Sequence, residues 1–173
     1  MRIIEHHVGL MDITPYERRR LKVFLEVESK MPKNQPRRDI WVNKMSTKIT
    51  SFGKSEHEAK AIARWVWVYS QRHNLDPALV LALITIESRF DPFATSSVGA
   101  QGLMQIMPFW KNELGTKSDN LFDVATNIRY GCAILKHYIK RYRTERKALA
   151  AYNGSKGRDK YPNKVFSQLK QFE

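Results

Sequence analysis

The sequence is poor in cysteine, in acidic residues and in long apolar runs, and each shortage excludes something. Cys132 is the one cysteine in 173 residues, so no internal disulfide can stabilise the chain. It lies within the apolar segment Ile128-Arg129-Tyr130-Gly131-Cys132-Ala133-Ile134-Leu135 and reads as a small buried hydrophobe rather than a nucleophile. The five histidines, His6, His7, His57, His73 and His137, show no HExxH or CxxC-type spacing, so no metal and no cofactor is expected. Apolar stretches break well short of the roughly 18 residues that a membrane span requires. The opening Met1-Arg2-Ile3-Ile4-Glu5-His6-His7 lacks the apolar core of a secretory signal. On this reading the protein stays inside the cell, or its export segment is absent from this chain. No segment alternates apolar and polar residues convincingly enough for a sheet, which points to an all-α fold.

What is present is an apolar content of 42%, enough for one ordinary domain with a real core. Lys and Arg number 30 against 17 acids, a net charge of +13. The excess is uneven. From Lys136 to Lys170 there are eleven Lys and Arg against Glu145 and Asp159, a net +9, whereas Ile84 to Ile128 carries three bases against five acids, a net −2. A basic surface suits a polyanion: nucleic acid, an anionic membrane or an anionic cell wall.

Helical signals recur along the chain. Thr14-Pro15-Tyr16-Glu17 is a capping box with proline at the first helical position, and Leu21, Phe24, Leu25 and Glu28 follow at helical spacing. Met31-Pro32-Lys33-Asn34-Gln35-Pro36-Arg37-Arg38 reads as a linker. Ile40 or Trp41, Met45 and Ile49 make a weaker stripe. Ser55-Glu56-His57-Glu58 is a second capping box, opening a helix with Ala59, Ile62, Ala63, Val66 and Ser70 on one face. Asp76-Pro77 starts a helix that is apolar nearly all round and therefore central. A short helix is expected from Gly102 to about Leu114, and a long one from about Asp123 to Tyr142 with Ile128, Cys132, Leu135 and Ile139 inward. Glu145 to Asn153 should end at Gly154, and a last helix holds Val165, Phe166 and Leu169. The division expected is an N-terminal helical extension, residues 1–54, and a compact helical domain, residues 55–173.

Chemistry concentrates around Glu87, at the end of the apolar run Leu79 to Ile86. A carboxylate among Ile84, Ile86 and Phe90 is poorly solvated, so its pKa should rise. A carboxylic acid still protonated near neutral pH can donate a proton to a leaving-group oxygen, which glycosidic cleavage needs. Taken alone, Glu87 reads first as a solvated or cap-paired glutamate. Two further segments accompany it: Ser96-Ser97-Val98-Gly99-Ala100-Gln101-Gly102-Leu103-Met104-Gln105-Ile106-Met107-Pro108, and Ala151-Tyr152-Asn153-Gly154-Ser155. With Glu87-Ser88 they resemble, in order and content, the catalytic domain of the soluble lytic transglycosylases, of the goose-lysozyme-like fold. The likeness covers roughly Leu75 to Val165. Leu121-Phe122-Asp123, Asn127 to Cys132 and Tyr161-Pro162 are similar to a proteobacterial branch of that family. Ser97 departs from it, standing where proline is frequent.

The resemblance implies a lysozyme-like helical domain that cleaves the bond between N-acetylmuramic acid C1 and N-acetylglucosamine O4 in peptidoglycan. Glu87 would protonate the linking oxygen, then take the proton of the muramic acid O6 hydroxyl as that oxygen closes on C1, leaving a 1,6-anhydro end. Intramolecular attack needs no water-activating carboxylate. Ser96 would hold the sugar or Glu87, unless it is an ordinary loop serine. Gln105 would meet the acetamido groups. Met104 is either at the sugar face or in the core. Tyr152 would bring a hydroxyl near the scissile bond, and Asn153 either binds sugar or satisfies the helix end. Tyr161 matches a family tyrosine after the Ala-Tyr-Asn segment. Gly99 and Gly102 are expected to permit backbone geometry that a side chain would block.

The first alternative is a hydrolytic muramidase on the same fold, which would need a second carboxylate; Asp91, Asp119 and Asp123 are the candidates. The second is a basic helical nucleic-acid-binding protein, supported by Tyr138, Tyr142, Tyr152 and Tyr161 among Lys and Arg but lacking a recognition-helix signature. The expected partner is the peptidoglycan glycan strand, with no nucleic acid, a cell-envelope protein as a further partner, and a monomeric state. The expected place is the periplasm or cell envelope of a bacterium, or a phage-encoded lysin.

Overall fold

The computed structural model describes residues 14–15 and 35–173. The expected capping box at Thr14, the stripe from Leu21 to Glu28 and the start of the linker lie outside the described residues or rest on partners that do. Among the described residues there are seven helices and no strand: α1 (Pro36–Thr50), α2 (Glu56–His73), α3 (Pro77–Ser88), α4 (Phe109–Leu114), α5 (Val124–Tyr142), α6 (Glu145–Tyr152) and α7 (Lys160–Leu169). The all-α expectation holds. No helix among them is long and apolar enough to cross a membrane.

Local chemistry explains the helix starts. Ser55 Oγ accepts from the Glu58 amide while Glu58 Oε2 accepts from the Ser55 amide, a complete capping box at α2. Asp76 Oδ1 accepts from the Ala78 amide at 2.9 Å, with Pro77 as the first residue of α3. Asp123 Oδ2 caps α5 through the Thr126 amide at 2.8 Å. The linker expectation needs correction at its end. Pro36, Arg37 and Arg38 form the first turn of α1, because proline costs nothing at a position whose N–H would have no helical partner. The α1 stripe takes the Trp41 alternative: Trp41 packs against the core, Met45 and Ile49 are buried with Val42 and Ser46, and Ile40 is 71% exposed.

α3 is the centre of the fold. Every residue from Ala78 to Thr85 is buried, and each fully buried Leu or Ile contributes about 1.5–3 kcal/mol. α3 packs on α2 and α7, α5 packs on α2 and α6, and α1 lies along α2. Val42, Met45 and Ile49 of α1 enter the same core as α2 and α3. Cys132 is wholly buried in that core, as expected, and burial pushes its thiol pKa up.

The expected helix from Gly102 to Leu114 is half right. Only Phe109–Leu114 is helical. Residues 101–106 form a tight loop, closed by bridges between Thr95 and Gln101 and between Gln101 and Ile106. Gln105 sits at φ +51° and Gly102 at φ +75°, both left-handed and incompatible with a continuing helix.

Candidate active site

α3 carries Glu87 one residue before its end. Beyond Ser88 the helix cannot continue, because Arg89 (φ +52°) and Phe90 (φ +64°) are both left-handed. Two such residues in succession cost on the order of 1–3 kcal/mol each. Burial offsets this. Phe90 is fully buried, its ring 4.8 Å from that of Phe52 and 6.1 Å from that of Phe172, and the Arg89 guanidinium lies 5.8 Å from the Phe52 ring centre. The turn after α1 and the chain following α7 thus clasp the end of α3.

The Gly102–Gln105 loop is tied to that helix end. Ser88 Oγ donates to the Leu103 carbonyl at 2.8 Å. Asn127 of α5, buried, makes three bonds that shape the loop: Oδ1 accepts from the Met104 amide at 2.7 Å, and Nδ2 donates to the carbonyls of Gln101 (2.8 Å) and Leu121 (2.7 Å). Gly102 is required here, since a Cβ would lie 2.3 Å from Asn127 Nδ2. Gly131 leaves space of the same kind, for Met104: a Cβ there would lie 2.2 Å from its Sδ. Gln105 Nε2 donates to the carbonyls of Ala94 (3.1 Å) and Gly102 (3.0 Å). Two acceptors orient the amide, so its carbonyl oxygen is the end left to meet a ligand.

α7 brings Tyr161 to Glu87, where its hydroxyl donates to Glu87 Oε1. Glu87 keeps part of its surface open to solvent. The protein packed around the carboxyl nonetheless pushes its pKa up to about 7, against the opposing pull of the Tyr161 hydrogen bond. Tyr152 and Tyr161 are both buried, and their pKa values are raised, first by burial and then by the nearby Glu87 charge. Both hydroxyls therefore remain donors throughout the neutral range. The Tyr152 hydroxyl donates to the Met104 carbonyl at 2.8 Å.

Glu87, Tyr161, Tyr152 and the Met104-Gln105 backbone thus come together. Other expected positions sit differently. Met104 has no exposed surface; its side chain fills the gap at Gly131, and it is the core alternative that this geometry fits. Ser96 Oγ accepts from the Ala100 amide at 3.0 Å, a bond within its own loop. Asn153 is the C-cap of α6. Asp91 Oδ1 accepts from the Phe93 amide, Asp123 caps α5, and Asp119 is bound by Tyr130, Thr116 and Arg129. Burial works to raise the Asp119 pKa, but those hydrogen bonds outweigh it and hold the carboxyl below its usual value. The three acids that a hydrolytic mechanism could have used are thus occupied with local structure. Asn127 and Phe172 had no role assigned from the sequence. A polar residue on the apolar face of α5 was a usable signal for Asn127, because buried polar groups are there to be bonded.

The family described as Transglycosylase SLT domain matches residues 66–172. Among curated proteins the chain is similar to a transglycosylase of Enterobacteria phage PRD1, 38% identical over 107 residues, covering 58% of this chain and 40% of that protein. It is similar to the membrane-bound lytic murein transglycosylase C of Edwardsiella ictaluri, 36% identical over 105 residues, covering 51% of this chain and 29% of the other. It is also similar to the membrane-bound lytic murein transglycosylase F of Desulfosudis oleivorans, 41% identical over 66 residues, covering 38% of this chain and 14% of the other. The chain therefore spans less than half the length of these relatives. With the Glu87 constellation embedded in a match of this extent, the chain belongs to the transglycosylase SLT domain family.

Proposed function

We propose that this protein is a peptidoglycan lytic transglycosylase with Glu87 as its single acid and base. The observation that carries the reading is the Glu87 carboxyl, with its pKa near 7 and Tyr161 bonded to it. A general acid is most effective when its pKa lies close to the working pH. Glu87 gives its proton to the oxygen between N-acetylmuramic acid C1 and N-acetylglucosamine O4, and the C1–O4 bond breaks. The substrate's own N-acetyl oxygen supports the electron-poor C1. The muramic acid O6 then bonds to C1 and its proton passes to Glu87, which is ready for another turn. No water is consumed and no redox change occurs. The Gln105 carbonyl oxygen supplies an acceptor for the amide N–H of an acetamido sugar.

The local commitments of Asp91, Asp119 and Asp123 support this over hydrolysis, as do the relatives' names. The exposed Lys140, Arg141, Arg143, Arg146 and Lys147 at the junction of α5 and α6 support attraction to an anionic wall, acting over roughly 8 Å at physiological salt. We place the action at the peptidoglycan layer, where bacterial envelope enzymes and phage lysins both work.

Mass spectrometry of products from purified peptidoglycan tests the reading. The expected products carry 1,6-anhydro ends, and Glu87→Gln should lose on the order of 10²-fold or more in rate while staying folded. Products with only reducing muramic acid ends would establish the muramidase instead. A variant keeping more than about a tenth of the activity would remove Glu87 from its role.

A further inference from the structure

Two aromatic rings outside the catalytic group stand together beside the Gly102–Gln105 loop. Phe93 is 73% exposed, and its ring centre lies 6.3 Å from that of Phe122, the planes tilted by 32°. Single exposed hydrophobics are ordinary on protein surfaces, so exposure alone decides nothing. The decisive observation is how the two backbones are held. The Phe93 amide donates to Asp91 Oδ1 at 2.9 Å, and the carbonyl of the next residue, Ala94, accepts from the Gly102 amide and from Gln105 Nε2. The Phe122 amide donates to Asn120 Oδ1 at 3.0 Å, and the carbonyl of the preceding residue, Leu121, accepts from Asn127 Nδ2. Both rings are therefore rooted one residue from the network that shapes the substrate loop. Their backbones are fixed while the Phe93 ring stays in water, so little ordering is needed to bind there.

We propose that Phe93 and Phe122 form a stacking platform for an N-acetylated sugar of the glycan strand, beyond the two sugars that meet at the scissile bond. The proposal rests on the reading of this chain as a glycan-cleaving enzyme. A pyranose ring with equatorial substituents presents a face of axial C–H groups carrying partial positive charge. The face of an aromatic ring carries partial negative charge. Stacking buries both faces and leaves the sugar hydroxyls at the rim in water, so the platform needs no buried polar partner. Continuity with Gln105 through Ala94 makes the occupant a further unit of the strand already held at that loop.

The test uses the full chain and short and long peptide-free strands of alternating N-acetylglucosamine and N-acetylmuramic acid. For Phe93→Ala, the ratio of kcat/KM on long strands to that on short strands should fall about fivefold, through KM. Phe93→Trp should restore the ratio. In the double variant Glu87→Gln, Phe93→Trp, the emission of the new indole should shift as long strands are titrated in. Because Phe93 is exposed, turnover of short strands serves as the control for folding. An unchanged ratio for Phe93→Ala overturns the platform while leaving the catalytic reading intact. So does a fall equal on both strand lengths, or loss of binding to phosphatidylglycerol vesicles with the ratio unchanged, which would make the rings a lipid contact. If the wild-type protein cleaves neither strand, the catalytic reading fails and the platform fails with it.

Discussion

Tyr161 donates its hydroxyl hydrogen to Glu87 from 74 residues further along the chain. The bond favours the ionised carboxylate, so it opposes the burial that raises the Glu87 pKa. Removing it should move that pKa further up. Tyr161→Phe is thus expected to shift the alkaline limb of the kcat profile above its wild-type position near pH 7. It should also slow turnover by about tenfold or more, because a hydrogen bond to a charged group contributes roughly 1.5–3 kcal/mol. A pH–rate profile of the two proteins checks this. A limb that stays in place would mean Tyr161 packs against Glu87 without governing its proton.

The same shift makes a statement about stability. Folding raises the Glu87 pKa from its ordinary value of 4.5 to about 7. Between those values the unfolded chain binds fewer protons than the folded one, so stability falls as pH rises. The contribution of the protonated group is complete below about pH 4.5 and lost above about pH 7. The full shift corresponds to roughly 3 kcal/mol; partial access to solvent reduces it, and about 1–3 kcal/mol is expected. Glu87→Gln should therefore match the wild type in denaturant stability at pH 4 and exceed it at pH 8. Parallel stability curves for the two proteins across that range would contradict the raised pKa.

Features governed by neighbours in sequence were legible before the structure. The capping box at Ser55 and the cap at Asp76 depend on residues two or three positions apart, and the all-apolar run of α3 leaves it only a central place. The helix expected from Gly102 to Leu114 failed in its first half because long-range bonds override local propensity there. Asn127, Ser88 and Tyr152, none of them adjacent in sequence to that loop, hold its backbone through the Met104 amide and the carbonyls of Gln101, Leu103 and Met104. The raised pKa of Glu87 was legible because a carboxylate in an apolar helix is poorly solvated, whereas its reading as an acid and base came from the Gly102–Gln105 and Ala151–Asn153 segments that accompany it. Met104 was ambiguous because a flexible thioether suits a core or a ligand face equally well, and only the gap at Gly131 decides between them.

Asn127 offers a way to separate the loop from the chemistry. Asn127→Ala would leave the buried Met104 amide and Leu121 carbonyl without their side-chain partner, while the Gln101 carbonyl keeps the Ile106 amide. Each group left unpaired costs about 1–3 kcal/mol, so a loss of roughly 2–5 kcal/mol in unfolding free energy is expected. Because the affected loop carries Gln105, KM for glycan should rise in the fraction that remains folded. Denaturant unfolding and steady-state kinetics measure the two effects separately. A stability loss below about 1 kcal/mol would show that the loop holds its shape without this residue.

Phe172 reaches the end of α3 through Phe90. Its ring is buried 6.1 Å from that of Phe90, and Phe90 with Arg89 holds the left-handed turn that ends α3 two residues after Glu87. Phe172→Ala should cost about 3–5 kcal/mol of stability from lost packing. A purely structural role would end there, with the folded fraction turning over normally. If instead the clasp sets where Glu87 sits, the turn relaxes once Phe172 is gone, and the carboxyl loses its register with Tyr161. Turnover per folded molecule then falls, KM for short strands changes little, and the alkaline limb moves as it does in Tyr161→Phe. Phe172→Leu, which refills most of the space, should recover both the rate and the limb. The comparison is made well below the melting temperature of the variant, with the folded fraction measured by circular dichroism. Normal turnover per folded molecule with an unmoved limb would show that Phe172 stabilises the core without positioning Glu87.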